Sequence, residues 1–247
     1  MARVITMHSY RGGAGKSSMA ANMALLLAAE GRRVALVDAD IQSPAMDTMF
    51  GFMRSPAKCS LADYLVGRCE IEDAVTRAPG DGPFIVPART GVSAINEITA
   101  NGYDVGLLNE GFTRLVGAFD LDVLILDTHT GINTETVMAV ACSDALVIVT
   151  RADRLDLAGA AESVALADRL GCTRRALVVN MVPDATLGDG LVLKAETAYG
   201  SPVTAVLPYV PEMARLAGEQ IFVTAHPAHS LVTGYQKINT AVLDGAA

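Results

Sequence analysis

The segment Tyr10-Arg11-Gly12-Gly13-Ala14-Gly15-Lys16-Ser17-Ser18 has the residue types and spacing of a phosphate cradle. Gly12, Gly13 and Gly15 reach backbone conformations barred to other residues, so successive N–H groups can close around phosphate oxygens. A helix opening directly after them adds its partial positive charge. Lys16 then reaches the β- and γ-phosphates, and the Ser17 hydroxyl completes a Mg2+ shell. Tyr10 stands where the common phosphate-loop pattern has its first glycine. The alternative is a glycine-rich strand-to-helix turn of another α/β fold. Strand, loop, Gly-Lys-Ser-Ser and helix in that order favour the cradle.

Other chemistries find less support. Cys59, Cys69, Cys142 and Cys172 lie far apart with no C-x-x-C pair, so metal or iron–sulfur ligation has no framework and buried, reduced thiols are expected. Nineteen basic against 27 acidic residues give a net charge of −8, and that field repels nucleic acid and anionic membrane unless a local basic patch forms. Only four of the basic residues are Lys, which draws attention to Lys16.

The elements that must position the cradle follow from the apolar pattern. The chain is 51% hydrophobic and 19% charged, with mean hydropathy +0.35, which excludes disorder. Its densest apolar run, Met19 to Ala29, is broken by Asn22 and is too short to span a bilayer. The amino-terminal residues lack a secretory pattern, so a cytoplasmic location is expected. Val4–Met7, Val34–Val37, Phe84–Val86, Val123–Leu126, Ala145–Val149 and Ala176–Val179 read as buried parallel strands. Ser17–Glu30, Val105–Phe119, Thr134–Cys142 and Leu155–Leu170 read as helices between them, the first and last halted by Gly31 and Gly171. This alternation predicts α/β architecture: one doubly wound, mostly parallel sheet of seven or eight strands with helices on both faces, over residues 1–247 as a single domain. Arg77–Asn101, rich in Pro and Gly, is the loosest segment, and Gly188–Gly190 and Gly200–Pro202 are expected surface connections. His229–Leu243 places Leu231, Tyr235, Ile238 and Val242 on one stripe with little basic charge opposite, a core-docking helix and not a membrane-surface one.

Several motifs together resemble the ParA/MinD family of deviant Walker A ATPases. Arg11-Gly12-Gly13-Ala14-Gly15-Lys16-Ser17 is similar to the family's Lys-Gly-Gly-x-Gly-Lys-Ser/Thr loop. Val34-Ala35-Leu36-Val37-Asp38-Ala39-Asp40 resembles its second-strand motif, and Leu124-Ile125-Leu126-Asp127-Thr128 its Walker B. Ala176-Leu177-Val178-Val179-Asn180 resembles the strand ending in a base-reading Asn, and Val206-Leu207-Pro208 the final strand. The match is closer to the MinD-like branch than to the substrate-reducing one.

The resemblance implies a slow, partner-stimulated ATPase using ATP/ADP and Mg2+, monomeric with ADP and dimeric with ATP, two nucleotides lying between subunits. Gly12 to Ser18 would hold phosphates, with Lys16 central to catalysis. Asp40 would orient the attacking water and, with Ser17, serve the magnesium, while Asp127 would hold it through a water. Asp38 would support the magnesium or the switch segment, or else cap a helix. Asn180 with the backbone around Pro208 and Tyr209 would select adenine. The family's signature Lys is Arg11 here: either a residue reaching the partner's nucleotide in trans, or a solvated side chain on the loop rim. Arg forks bidentately onto phosphate where Lys is a point charge. His129 and its neighbours Asp127-Thr128-His129-Thr130-Gly131 replace the usual Asp-x-Pro-x-Gly; a γ-phosphate sensor and a packing residue are both open.

For output, the resemblance implies positioning or partitioning of a cargo through an activating or adaptor protein. Arg174, Arg175, Lys194, Arg215 and Lys237 are candidates for nonspecific DNA contact, or else solvated caps. The end Leu243-Asp-Gly-Ala-Ala lacks the basic amphipathic tail of MinD relatives, so no direct membrane anchor is expected. The competing readings are the metal-insertion or reductase branch, which needs a Cys pair, and a nucleotide-dependent regulator that scarcely hydrolyses.

Overall fold

Each short aliphatic run bounded by charge becomes a strand: β1 (Arg3–His8), β2 (Val34–Asp38), β4 (Phe84–Val86), β5 (Val123–Asp127), β6 (Ala145–Arg151), β7 (Arg175–Val182) and β8 (Val203–Pro208), with the two-residue β3 (Thr76–Arg77) at one edge. The structure, a computed structural model, describes residues 2–52, 57–88, 92–183, 188–216 and 218–244. The strands form one eight-stranded sheet in the order β3-β4-β2-β5-β1-β6-β7-β8. All neighbours are parallel except β3 against β4. β1 lies between β5 and β6, so crossovers leave it in opposite directions. That reversal opens a crevice at its carboxyl end, where a doubly wound sheet binds ligands.

Strand parity divides the core. Ile5, Met7, Leu36, Ile125 and Val147 point to the face covered by α1 (Lys16–Ala29), α10 (Phe222–Ala225) and α11 (Ser230–Asp244). Val37, Leu124 and Leu126 point to the other face, beneath α3 (Leu61–Leu65) and α5 (Gly106–Ala118). Leu146, Ile148 and Leu177 continue that face beneath α7 (Arg154–Arg169). Between these lie α2 (Met46–Met49), α4 (Val92–Asn101), α6 (Thr134–Ala141), α8 (Gly188–Tyr199) and α9 (Pro211–Arg215). The α11 stripe of Leu231, Tyr235, Ile238 and Val242 is buried as expected. Among the described residues no helix is long and apolar enough to cross a membrane.

Three expectations need correction. Arg77–Asn101 is not loose throughout, because it ends in α4; residues 89–91 lie outside the described residues. Gly188–Gly190 is not a connection but the first turn of α8, its two glycines masking a helix that their propensity argues against. Of the cysteines only Cys172 is buried, and the other three are partly exposed. The chain folds back around α3 so that the Cys59 and Cys69 thiols meet. Burial and that contact push Cys69 up to about 12.

His8, at the end of β1, is fully buried, and neither ring nitrogen has a hydrogen-bond partner among the described residues. Burial, reinforced by the Lys16 ammonium, holds its imidazole down at about 4. An unfolded His titrates near 6.5. Between those values the unfolded chain binds the extra proton, so stability is present above about 6.5 and lost as pH falls. Wild type should therefore lose about 2 kcal/mol between pH 7.5 and 5 from this group alone. Urea midpoints of wild type and His8→Leu at both pH values check this. The variant should be the more stable at pH 7.5 and lead by a wider margin at pH 5; a constant gap would refute the assignment.

Candidate functional site

β1 runs into the glycine loop, and α1 leaves it. Gly13 and Gly15 have φ of 82° and 86°, the left-handed conformation that favours glycine. Gly15 is the cap of α1, which has no side-chain cap and no acidic residue in its first turn. The first N–H groups of this helix are thus left for an external acceptor. Gly15 is required for a second reason: a Cβ there would stand 2.6 Å from Asn180 Nδ2. Asn180 donates that amide to the Ala14 carbonyl at 2.9 Å, bracing the loop. A register shift of β7 against β8 between Val179 and Val182, with Met181 at φ 57°, brings Asn180 and Met181 against the loop. Strain of this kind concentrates at functional sites. Gly12 to Ser18 line a cavity of about 300 Å³ together with Ser9, Asp40, Ser43, His129 and Thr130.

Beneath the loop lies a buried charge cluster. Asp38 and Asp127 are paired neighbours on β2 and β5, and parity turns both toward α1. Lys16, nearly buried, places Nζ 2.5 Å from Asp127 Oδ1. Asp127 Oδ2 has no partner among the described residues. Asp38 accepts from the backbone of Asp40 at 3.2 Å, Ala45 at 2.8 Å and Met46 at 3.0 Å, fixing the turn that starts α2. Burial first, then the Asp127 carboxylate, raises the Asp38 carboxyl despite those bonds and Lys16. One ammonium thus serves two carboxylates, and further positive charge would be welcome. Among the described residues no three acidic, His or Cys side chains gather around a metal position. The unpartnered Asp127 oxygen, with Ser17 and Asp40 lining the cavity, suits Mg2+, which is held by one or two carboxylates with substrate phosphates and water. The site therefore fits a magnesium–phosphate ligand.

The rim is set by contacts that sequence reading missed. Arg11, 44% exposed, pairs with the buried Asp156 at 3.4 Å, to which Arg151 donates at 2.6 Å. Asp156 is placed by α7, whose start is capped by Asp153. The Tyr10 ring lies on Gly159 of the same helix: a Cβ there would come within 2.6 Å of Tyr10 Cβ. An isolated glycine inside a helical pattern was the available signal, since it often marks a close approach. Tyr10 is 40% exposed and does not line the cavity. Asp40 accepts from Ser43 N at 2.9 Å and faces His129. Asp40 lies beyond the end of β2, so the turn after the strand positions it. Ser17 and Ser18 line the cradle. At the end of β8, Pro208 pairs with Val182 and exposed Tyr209 bonds to the Val182 carbonyl.

The basic candidates are spread over several elements. Arg174 and Arg175 lie at the amino end of β7, opposite the cradle; Arg174 donates to Leu243 O at 2.7 Å, Arg175 to Asp168. Arg215 follows β8 at the carboxyl end and pairs with Glu212; Lys237 is exposed on α11. The Lys194 side chain, and residues 245–247 of the carboxyl tail, lie outside the described residues.

Comparison with known proteins agrees with this architecture. A family model described as an AAA domain matches residues 2–176. An uncharacterised ATP-binding protein of Methanocaldococcus jannaschii is 31% identical over 217 residues, covering 88% of this chain and 78% of its own. The antiactivator FleN of Pseudomonas aeruginosa is 32% identical over 209 residues, covering 84% and 72%. The septum site-determining protein MinD of Pyrococcus horikoshii, complexed with Mg-ADP, shares the fold with TM-score 0.82 at 21% identity, covering 98% and 96%. With glycine loop, strand-end carboxylates and sheet order all in place, the chain belongs to the ParA/MinD family of AAA-domain ATPases.

Proposed function

We propose that this chain is a slow, ATP-hydrolysing switch that dimerises with ATP and positions or partitions a cargo through a protein partner. The observation that carries this is the uncapped start of α1 above a buried Lys16–Asp127–Asp38 cluster with too little positive charge. Lys16 moves from Asp127 to the β- and γ-phosphates, and the loop N–H groups of Gly12 to Ser18 hold their oxygens. Ser17, Asp40 and Asp127 would hold Mg2+; Asp38, its oxygens committed to backbone N–H groups, keeps the switch turn in place. Bound Mg2+ would supply charge neutralisation on the phosphate oxygens. Asn180 braces the loop through its NH2 and offers its amide oxygen to adenine, beside the Pro208–Tyr209 backbone. Arg11 acts on the partner's nucleotide.

Relatives named for septum siting, flagellum siting and chromosome partitioning support a positioning output. A protein partner is favoured over duplex DNA because Arg174 and Arg175 are already committed to internal acceptors. DNA retention that appears only with ATP and fades with salt would reverse that preference. Cys59 and Cys69 do not line the cradle, which disfavours the metal-insertion or reductase reading. The likeness to an antiactivator favours a second reading, a regulator with little hydrolysis, and single-turnover rates with and without the partner separate the two.

Sizing in solution tests the switch. Asp40→Ala should run as a monomer with Mg-ADP and as a dimer with Mg-ATP, because Lys16 and the loop N–H groups still grip ATP while hydrolysis is slowed. An identical size with both nucleotides overturns the switch, and no calorimetric heat with either overturns nucleotide binding itself.

A further inference from the structure

Asp40 and His129 approach one another across the rim of the cradle from two separate loops, those after β2 and β5. His129 Nε2 stands 4.0 Å from Asp40 Oδ1, and both side chains line the cavity with Lys16 and Ser17. The imidazole is oriented by its other nitrogen: Nδ1 is 2.7 Å from the Thr130 carbonyl oxygen. A carbonyl only accepts, so Nδ1 carries the hydrogen and donates it. The Asn133 NH2, at 3.4 Å from the same nitrogen, is the longer contact and does not change that assignment. That tautomer turns the Nε2 lone pair toward a carboxylate oxygen, which is also an acceptor.

Two acceptors at this separation do not bond each other. A molecule with two donor hydrogens fits between them. At ordinary hydrogen-bond lengths of about 2.8 Å the pair subtends about 90° at a water oxygen, close to water's own angle. Such a water would direct its lone pairs away from both residues, into the cradle. Both acceptors are preorganised. Asp40 Oδ1 is held by Ser43 N, and the His129 loop is tied to the end of β1 by Thr128 Oγ1 on Met7 O at 2.9 Å and by Gly131 N on Ser9 O at 3.1 Å.

We propose that His129 and Asp40 together hold the attacking water, each accepting one of its hydrogens; this rests on the nucleotide reading above. In the step served, the water oxygen bonds to the γ-phosphorus while the bond from that phosphorus to the β–γ bridging oxygen breaks. Its electron pair stays on ADP, and both water protons leave with the inorganic phosphate. His129 adds the second acceptor that one carboxylate oxygen cannot supply alone, so the water has one orientation instead of several.

The test compares His129→Leu and His129→Gln with the unaltered chain. Calorimetry reads Mg-ADP affinity with and without aluminium fluoride, and single turnover reads ATP hydrolysis. Both variants should bind ADP within about threefold of wild type. Hydrolysis should fall about a hundredfold in the Leu variant, in the range of one oriented proton-transfer contact, together with its aluminium-fluoride-enhanced affinity. The Gln variant, whose amide oxygen can accept the same hydrogen, should recover most of both. Adding His129→Leu to Asp40→Ala should slow hydrolysis no further. Unchanged hydrolysis and fluoride enhancement in the Leu variant overturn the proposal. So does a loss of ADP affinity equal to the loss of rate, which would make the ring part of the cradle wall. If the unaltered chain binds no ADP, the nucleotide reading fails and takes this inference with it.

Discussion

Replacing Lys16 by Ala should sharply weaken nucleotide binding and destabilise the fold, two effects that separate in a double variant. The ammonium is buried 2.5 Å from Asp127, and the Asp38 carboxyl stands beside that residue in the next strand. Removing one partner of a buried ion pair costs about 3–5 kcal/mol, because the remaining charge is left in a poor solvent. Here two carboxylates are left. Asp38, already raised by burial and by Asp127, takes up a proton, and this sets the pH dependence. A carboxyl raised in the folded state binds a proton that the unfolded chain releases, so its contribution is lost as pH rises through the folded value. The deficit of Lys16→Ala against wild type should therefore be largest near pH 8 and shrink toward pH 5. Mg-ADP affinity should fall by about a hundredfold or more, the loss expected for a buried charge contact. Lys16→Ala with Asp38→Asn should regain about 2 kcal/mol by relieving the like-charge contact, yet bind nucleotide no better. Urea midpoints at pH 8 and 5 beside calorimetry measure both. Equal midpoints for wild type and the single variant would show that Lys16 does not hold the cluster.

The cradle was legible from its sequence because its chemistry is local. Gly13 and Gly15 act through neighbouring backbone, and their order before Lys16 and Ser17 predicts the left-handed turns and the helix that opens after them. The buried strands were legible for a similar reason, since residues such as Val123 to Leu126 are apolar on both faces. Contacts between distant elements left no comparable trace. Nothing around Asp156 or Gly159 says that α7 packs on the loop, and only the interior glycine hinted at it. Cys59 and Cys69 look isolated until α3 folds the chain back. Asp38 was readable as a carboxylate at a strand end, but its role depends on Ala45 and Met46 turning their N–H groups toward it. Asp40 is instructive in the opposite sense: the strand ends at Asp38, so the turn beyond it and not the strand itself sets where this carboxylate stands. His129 could not be assigned from its neighbours because its partner arrives from another loop.

Arg11→Ala should bind Mg-ADP within about threefold of wild type, keep its stability within about 1 kcal/mol, and lose on the order of a thousandfold in ATP hydrolysis, as arginine fingers do. The ground-state terms are small because Arg11 is half exposed and its pair with Asp156 is the longer of two. Arg151 keeps that carboxylate satisfied at 2.6 Å when Arg11 leaves. The guanidinium is therefore free to transfer to the phosphate of a second subunit at little cost, and Asp156 is not orphaned by the move. Arg11→Lys keeps the charge but not the planar fork, so its rate should fall between the two. Mixed dimers decide whether the action is in trans. Arg11→Ala retains Asp40, and Asp40→Ala retains Arg11, so each is inactive alone. A mixed dimer owns one complete site, in which Arg11 from one subunit faces the intact Asp40 of the other. Hydrolysis should return on mixing to about a quarter of the wild-type rate, the share expected when half the dimers are mixed and each carries one working site. If mixing restores nothing while sizing confirms that mixed dimers form, Arg11 acts within its own subunit. The pair with Asp156 would then be its working contact and not a resting one.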